Sequence, residues 1–175
     1  MKIVISGGPG TGKTSIVEEL LRRKYFIFEE TSREIIDKYK NLGHDQLFLS
    51  DPIKFSEILL KNRVNQFKKS NINNSNHYFF DRGIPDVLAY LNHKNIVYED
   101  NFTICAKKYK YDMVFIAEPW REIYKNDKQR YESFNELVEI SKHIKKTYKG
   151  LGYDLFIIPN DSVTKRVDYI LNKIK

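Results

Sequence analysis

At 175 residues, 41% hydrophobic and 30% charged, the chain has the size of one domain and the apolar content to bury a core, which excludes a wholly disordered protein. The single Cys105 excludes an intramolecular disulfide and a Cys-rich zinc site, and no apolar run approaches the ~20 residues needed to cross a bilayer. The net charge of +7 invites an anionic partner: nucleic acid, an anionic membrane surface, or a small phosphorylated ligand.

The apolar stretch in MKIVISGG is too short for a signal-peptide core, so a cytoplasmic setting is expected. The positive charges are spread along the chain. The densest group, Lys142, His143, Lys145, Lys146 and Lys149, scatters over a helix surface and reads as a solvated face. Charge alone does not choose the partner.

In chain order, Lys2–Ser6 is a short β-branched strand followed by glycines and a helix over 13–24. The alternation in 25–30 predicts a second strand, and a helix follows over 31–40 with Ile35, Ile36 and Tyr39 as its stripe. Asp51 caps a helix through Lys69, with Pro52 in its first turn. The polar run 70–76 is a loop. His77–Asp81 is a buried strand followed by a short helix from Pro85. Met113–Ala117 is a fourth strand, 118–130 is pattern-poor, and helix returns over 131–148. Leu155–Ile158 is a fifth strand stopped by Pro159, and 163–174 closes as a helix. Short apolar strands separated by helices imply crossovers, hence a three-layer α/β domain with a five-stranded parallel sheet. Ligands in such sheets bind at the carboxyl ends of the strands.

The turn after the first strand, Gly7-Gly8-Pro9-Gly10-Thr11-Gly12-Lys13-Thr14, matches G-x-x-x-x-G-K-[ST] in full and is followed by Ser15. It has the required context of strand before and helix after. Glycines let successive N–H groups turn inward as an anion nest, and the helix N-terminus adds positive charge. Gly8 through Ser15 are the expected phosphate-binding residues: Lys13 reaches the β- and γ-phosphates and Thr14 ligates Mg²⁺. This pattern identifies nucleotide binding without choosing the chemistry.

The strand 77–81 ends in Asp81, a carboxylate suited to holding Mg²⁺ or taking a proton from an attacking hydroxyl; capping of the Pro85 helix is its structural alternative. Glu118, ending the fourth strand, is a weaker competitor. Glu30 ends the second strand. It is expected either to pair with Arg33, three residues on, or to position or deprotonate an acceptor while Arg33 clamps an anionic group. Arg82, next to Asp81, joins them on the substrate side. The helical segment of about 43–70 exceeds a plain crossover and suits a phosphoryl acceptor, with Arg63 and His44 expected on the surface. Residues of about 118–131 form a lid candidate, with Arg130 backed by Asp127 as first choice for the closing arginine and Arg121 as second. The turn 159–163 suits either the nucleotide base or ordinary capping by Asp161 or Ser162.

With these motifs in place the chain resembles the P-loop kinase-like AAA-domain ATPases related to the ribosylnicotinamide kinase domain of NadR. The resemblance rests on Gly7–Ser15, Glu30 through Ile36, Phe80-Asp81-Arg82-Gly83, the 127–130 lid, and the segment from Gly152 to Val167. More distantly the chain is similar to thymidylate and deoxynucleoside kinases, in which an Asp-Arg or Glu-Arg pair ends the third strand. The resemblance implies ATP with Mg²⁺, a nucleoside- or nucleotide-kinase fold, and catalytic roles for Lys13, Asp81 and Arg130.

Two functions follow as expectations: a Mg·ATP-dependent phosphotransferase acting on a nucleoside, nucleotide or similar small molecule, or a nucleotide-dependent switch that acts through a protein partner. A nucleic-acid module lacks an arginine-aromatic platform here and is not expected.

Overall fold

The computed structural model describes residues 1–41, 47–70, 77–124 and 133–175. The strands β1 (Lys2–Ser6), β2 (Phe26–Phe28), β3 (Tyr78–Asp81), β4 (Met113–Ala117) and β5 (Leu155–Ile158) form one sheet in the order β2-β3-β1-β4-β5. Every pairing is parallel, with Ile3 opposite Phe79 and Met113 at the centre.

Alternation along β1 divides the core in two. Ile3 and Ile5 point to one face with Phe79 and Phe115, where they meet Ile16 and Leu20 of α1 (Lys13–Arg22) and Val167 and Ile170 of α8 (Val163–Lys173). Val4 points the other way with Phe80, Val114 and Ile116. That face is covered from α4 (Pro52–Lys69), α5 (Ile84–His93), α6 (Asp100–Lys108) and α7 (Phe134–Gly150), which supply Phe67, Leu88, Phe102 and Ile144 among others. Each fully buried aromatic or branched side chain contributes roughly 1.5–3 kcal/mol. The three-layer parallel architecture is thus present as expected.

Element ends are set by local chemistry. Asp51 accepts from the Lys54 amide at 3.0 Å and starts α4. Ser133 and Glu136 form a capping box that starts α7. Strand β2 is shorter than the alternation predicts. It is an edge strand, and just beyond it the Glu30 carboxylate accepts from the Thr31 and Ser32 amides, leading the chain into α2 (Ser32–Asn41). The single turn α3 (Leu47–Ser50) falls within the helical segment expected over about 43–70, whereas α6, which buries only Phe102 and Ala106 and so shows no clear period, has no counterpart in the sequence reading. Among the described residues no helix is long and apolar enough to cross a membrane.

With β1 flanked by β3 and β4, the carboxyl ends of the three central strands lie side by side at one edge of the parallel sheet. Gly7 follows β1, Asp81 ends β3 and Glu118 follows β4.

Candidate active site

The loop from Gly7 to Gly12 leads into α1 through Gly12, which occupies the N-cap position at φ 81°; Gly10 has φ 76°. Both angles lie in the left-handed region, where a side chain would strain the backbone. The Lys13 ammonium folds back along the loop and donates to the carbonyls of Gly7 at 2.9 Å and Gly8 at 2.6 Å. Thr11 Oγ1 donates to the Gly8 carbonyl at 2.9 Å. Lys13 is buried, whereas Thr14 and Ser15 are exposed in the first turn of α1. Burial, then the nearby Arg82 charge, lowers the Lys13 pKa to about 7 against the pull of Asp81, Asp86 and Glu30.

Beside the loop lies a cluster of opposite charges. Glu30 Oε2 is 2.6 Å from Arg82 Nε, and both Glu30 oxygens lie 3.2 Å from Arg63 Nη2. Arg82 Nη1 also donates to the Gly7 carbonyl at 3.0 Å, so one guanidinium ties the end of β2 to the phosphate loop. Its backbone sits at φ 71°, a rare conformation for a residue other than glycine, and its amide donates a hydrogen bond to the Ile5 carbonyl at 3.0 Å. Arg63 Nη1 donates to the Gly83 carbonyl at 2.8 Å. Burial raises the Glu30 carboxyl, but Arg63, Arg82 and the Ser32 amide outweigh it and hold it below the ordinary range.

Asp86 organises the turn after β3 from below. It is fully buried, and its carboxylate accepts from Ser6 Oγ at 2.5 Å, the Gly83 amide at 2.8 Å and Tyr148 Oη at 2.6 Å. The turn after β3 is therefore capped by Asp86, and the capping alternative weighed for Asp81 does not hold. Asp81 keeps a different character: its Oδ1 is buried without a hydrogen-bond partner among the described residues. Burial pushes the Asp81 carboxyl up, with Lys13 and Arg82 pulling it back.

The structure brings Lys13, Glu30, Asp81 and Arg82 together. Arg63 corrects the sequence reading, which placed it on the surface: it is 4% exposed and bound to Glu30. Its position was readable, because Ser56, Leu60, Arg63 and Phe67 follow one stripe of α4 and all are buried. Glu118 is engaged with Lys145 at 2.6 Å. Arg121 is exposed, with its guanidinium 4.6 Å from the Phe134 ring centre. Arg130, Asp127 and His44, and the side chain of Arg33, lie outside the described residues. Asp86 and Tyr148 join the site only through the fold; the acidic residue three positions after Gly83 is the sequence signal for the first.

A family model described as an AAA domain matches residues 2–166. The chain belongs to the AAA domain family. Among solved structures, this AAA domain is similar in fold to deoxyadenosine kinase from M. mycoides with dCMP and dCDP bound, at TM-score 0.72 and 19% identity over 99% of this chain and 98% of that one. Thymidylate kinase from Ehrlichia chaffeensis matches at TM-score 0.67 and 15% identity, over 100% of this chain and 98% of that one. NadR in complex with NR matches at TM-score 0.72 and 15% identity, with 99% of this chain covering 49% of that one. No curated protein matches the sequence. The AAA domain therefore has the fold of the P-loop nucleoside and nucleotide kinases.

Proposed function

We propose that the protein is a Mg·ATP-dependent phosphotransferase whose acceptor is a nucleoside, a nucleotide or a similar small molecule. The carrying observation is the juxtaposition of a complete phosphate loop with Asp81, a half-buried carboxylate whose buried Oδ1 has no hydrogen-bond partner among the described residues. A structural carboxylate at that depth would be hydrogen-bonded, as Asp86 is.

The residues present fit Mg²⁺. The exposed Thr14 hydroxyl and the orphaned Asp81 oxygen are hard oxygen donors, and magnesium is ordinarily held by one or two protein oxygens together with phosphates. Thr14 and Asp81 are the residues that would hold it, and its charge would offset that of the phosphates. Among the described residues no cluster of three acidic, His or Cys side chains forms a separate metal cage.

In this reading Lys13 leaves the Gly7 and Gly8 carbonyls and donates to the β- and γ-phosphates. The acceptor oxygen attacks the γ-phosphorus, the bond from phosphorus to the β–γ bridging oxygen breaks, and ADP leaves. Where the acceptor is a hydroxyl, its proton passes to the Asp81 oxygen that does not hold Mg²⁺. Glu30 is already saturated by two arginines and two amides, so it serves as the anchor that aims Arg82 and Arg63 at the acceptor side. Arg82 and Arg33 remain the proposed contacts for the acceptor. A lid arginine from the segment of about 118–131, Arg130 or Arg121, would close over the transferring group.

Incubation with Mg·ATP labelled at the γ-phosphate and a panel of nucleosides, nucleotides and ribosylated bases tests this. Transfer of label to one class of acceptor is expected. Tight ATP binding with slow hydrolysis and no labelled product across the panel would instead support the switch that acts through a partner.

A further inference from the structure

Among the described residues, arginines below the surface are matched to carboxylates, with one exception. Arg63 and Arg82 share Glu30. Arg166, in the first turns of α8, is 2% exposed and has no ion-pair partner among the described residues. Its Nε is buried and unbonded. An isolated buried cation costs several kcal/mol even after relaxation, and among the described residues no carboxylate offsets that. Burial accordingly lowers its pKa with no opposing charge.

Its position gives the charge a use. Arg166 Nη2 donates to the Thr11 carbonyl at 3.0 Å. Nη1 lies so close to Gly12 that a Cβ there would stand 2.6 Å from it and 3.0 Å from Ile123 Cδ1. The guanidinium is therefore pressed against the Thr11–Gly12 peptide from the α8 side. That peptide is trans, there being no cis bond among the described residues, so its N–H points opposite to the carbonyl that Arg166 holds. A donor on the carbonyl both fixes the plane of the peptide and polarises its N–H, at the left-handed step into α1.

We infer that Arg166 is a positioning residue of the phosphate loop, a carboxylate-free cation behind the Thr11–Gly12 peptide whose charge is offset by the phosphates of a bound nucleotide. Resting on the nucleotide-binding reading above, this assigns to α8 a share of the affinity for phosphorylated over unphosphorylated ligands. The same buried charge weakens the ligand-free fold, so function and stability pull in opposite directions at one residue.

The test measures affinity for adenosine, AMP, ADP and ATP in magnesium buffer, with ligand-free thermal midpoints, for the wild type, Arg166→Met and Arg166→Lys. Arg166→Met is expected to weaken ATP and ADP by about 10- to 100-fold, the range for losing one charge-assisted interaction, and adenosine by less than about 3-fold. Its ligand-free midpoint should not fall, because an apolar side chain of similar length replaces an uncompensated charge. Arg166→Lys, which keeps the charge, should recover most of the preference for phosphate. Equal losses for adenosine and ATP, a lower ligand-free midpoint or failure of Arg166→Met to fold, or no recovery in Arg166→Lys would each overturn the inference. Absence of nucleotide binding by the wild type would remove the underlying reading and this inference with it, whereas wild-type binding with an ungraded Arg166→Met loss removes only the inference.

Discussion

Glu30 Oε2 and Arg82 Nε stand 2.6 Å apart, and through Arg82 Nη1 that pair reaches the carbonyl of Gly7, the first residue of the phosphate loop. The chain just beyond β2, the turn after β3 and the loop are thus joined through one guanidinium. Glu30→Gln removes the carboxylate that Arg63 and Arg82 share, leaving Arg82 with Asp86 at 3.6 Å. Breaking a buried ion pair from one side typically costs roughly 3–5 kcal/mol. Urea unfolding of the ligand-free protein should show a loss of that order at constant m; a change below about 1 kcal/mol would show that the arginines find water instead.

The same carboxylate gives an acid-dependent signature. Its folded pKa lies below the ordinary glutamate value of 4.5, with arginine charge outweighing burial. Between the folded pKa and 4.5 the unfolded chain binds more protons than the native one, so stability rises with pH across that window. The contribution is present in full above about 4.5 and is lost as pH falls through the folded pKa. Subtracting the stability of Glu30→Gln from that of the wild type isolates this group. The difference should shrink steadily as pH drops below 4.5, and a difference independent of pH would contradict the assignment.

Much of this arrangement was legible in the chain, for reasons that particular residues make clear. The phosphate loop is a local device, since Gly10, Gly12 and Lys13 do their work within one turn, so a short pattern captures it. The two-sided sheet was legible because Ile3, Val4 and Ile5 are all apolar, which only a strand buried on both faces tolerates. What could not be read was pairing across the sequence. Glu30 binds Arg63, 33 residues away, and Arg82, across the β2–β3 edge, and no local pattern announces either partner. Arg63 and Arg166 both sit on apolar stripes of their helices, a signal that they are buried but not of what they meet. Helix α6 escaped because two buried residues in nine make too faint a period.

Lys13→Ala separates ligand binding from folding. The amine is buried, and its pKa is lowered to about 7, so its charge is a burden on the ligand-free fold. Removing it should leave the ligand-free midpoint nearly unchanged. Stabilisation by Mg·ATP, worth about 4 kcal/mol at a thousandfold excess over Kd, should disappear. Differential scanning fluorimetry with and without nucleotide reads both quantities. A ligand-free loss as large as that of a core truncation would mean that the bonds from Lys13 to the Gly7 and Gly8 carbonyls hold the loop together.

Tyr148 and Gly83 meet where α7 supports the turn after β3, and they allow a coupled test. The Tyr148 hydroxyl donates to the fully buried Asp86 carboxylate at 2.6 Å. Tyr148→Phe removes a hydrogen bond to a charged group and should cost about 1.5–3 kcal/mol. Gly83 has an ordinary extended backbone, φ −112° and ψ 176°, so alanine meets no conformational penalty there. Space is the constraint: a Cβ would lie 2.6 Å from Tyr148 Oη, 3.0 Å from Tyr111 Cε2 and 3.1 Å from Val4 Cγ2. Overpacking of this kind costs roughly 1–3 kcal/mol. Because the nearest obstacle to the new methyl is the very hydroxyl that Tyr148→Phe deletes, the two losses should not add. The double variant Gly83→Ala/Tyr148→Phe is expected to fall short of the summed single losses by about 1 kcal/mol in urea unfolding at constant m. Strict additivity would place the strain at Tyr111 and Val4 instead, and would free the Tyr148 hydroxyl from any role in keeping position 83 a glycine.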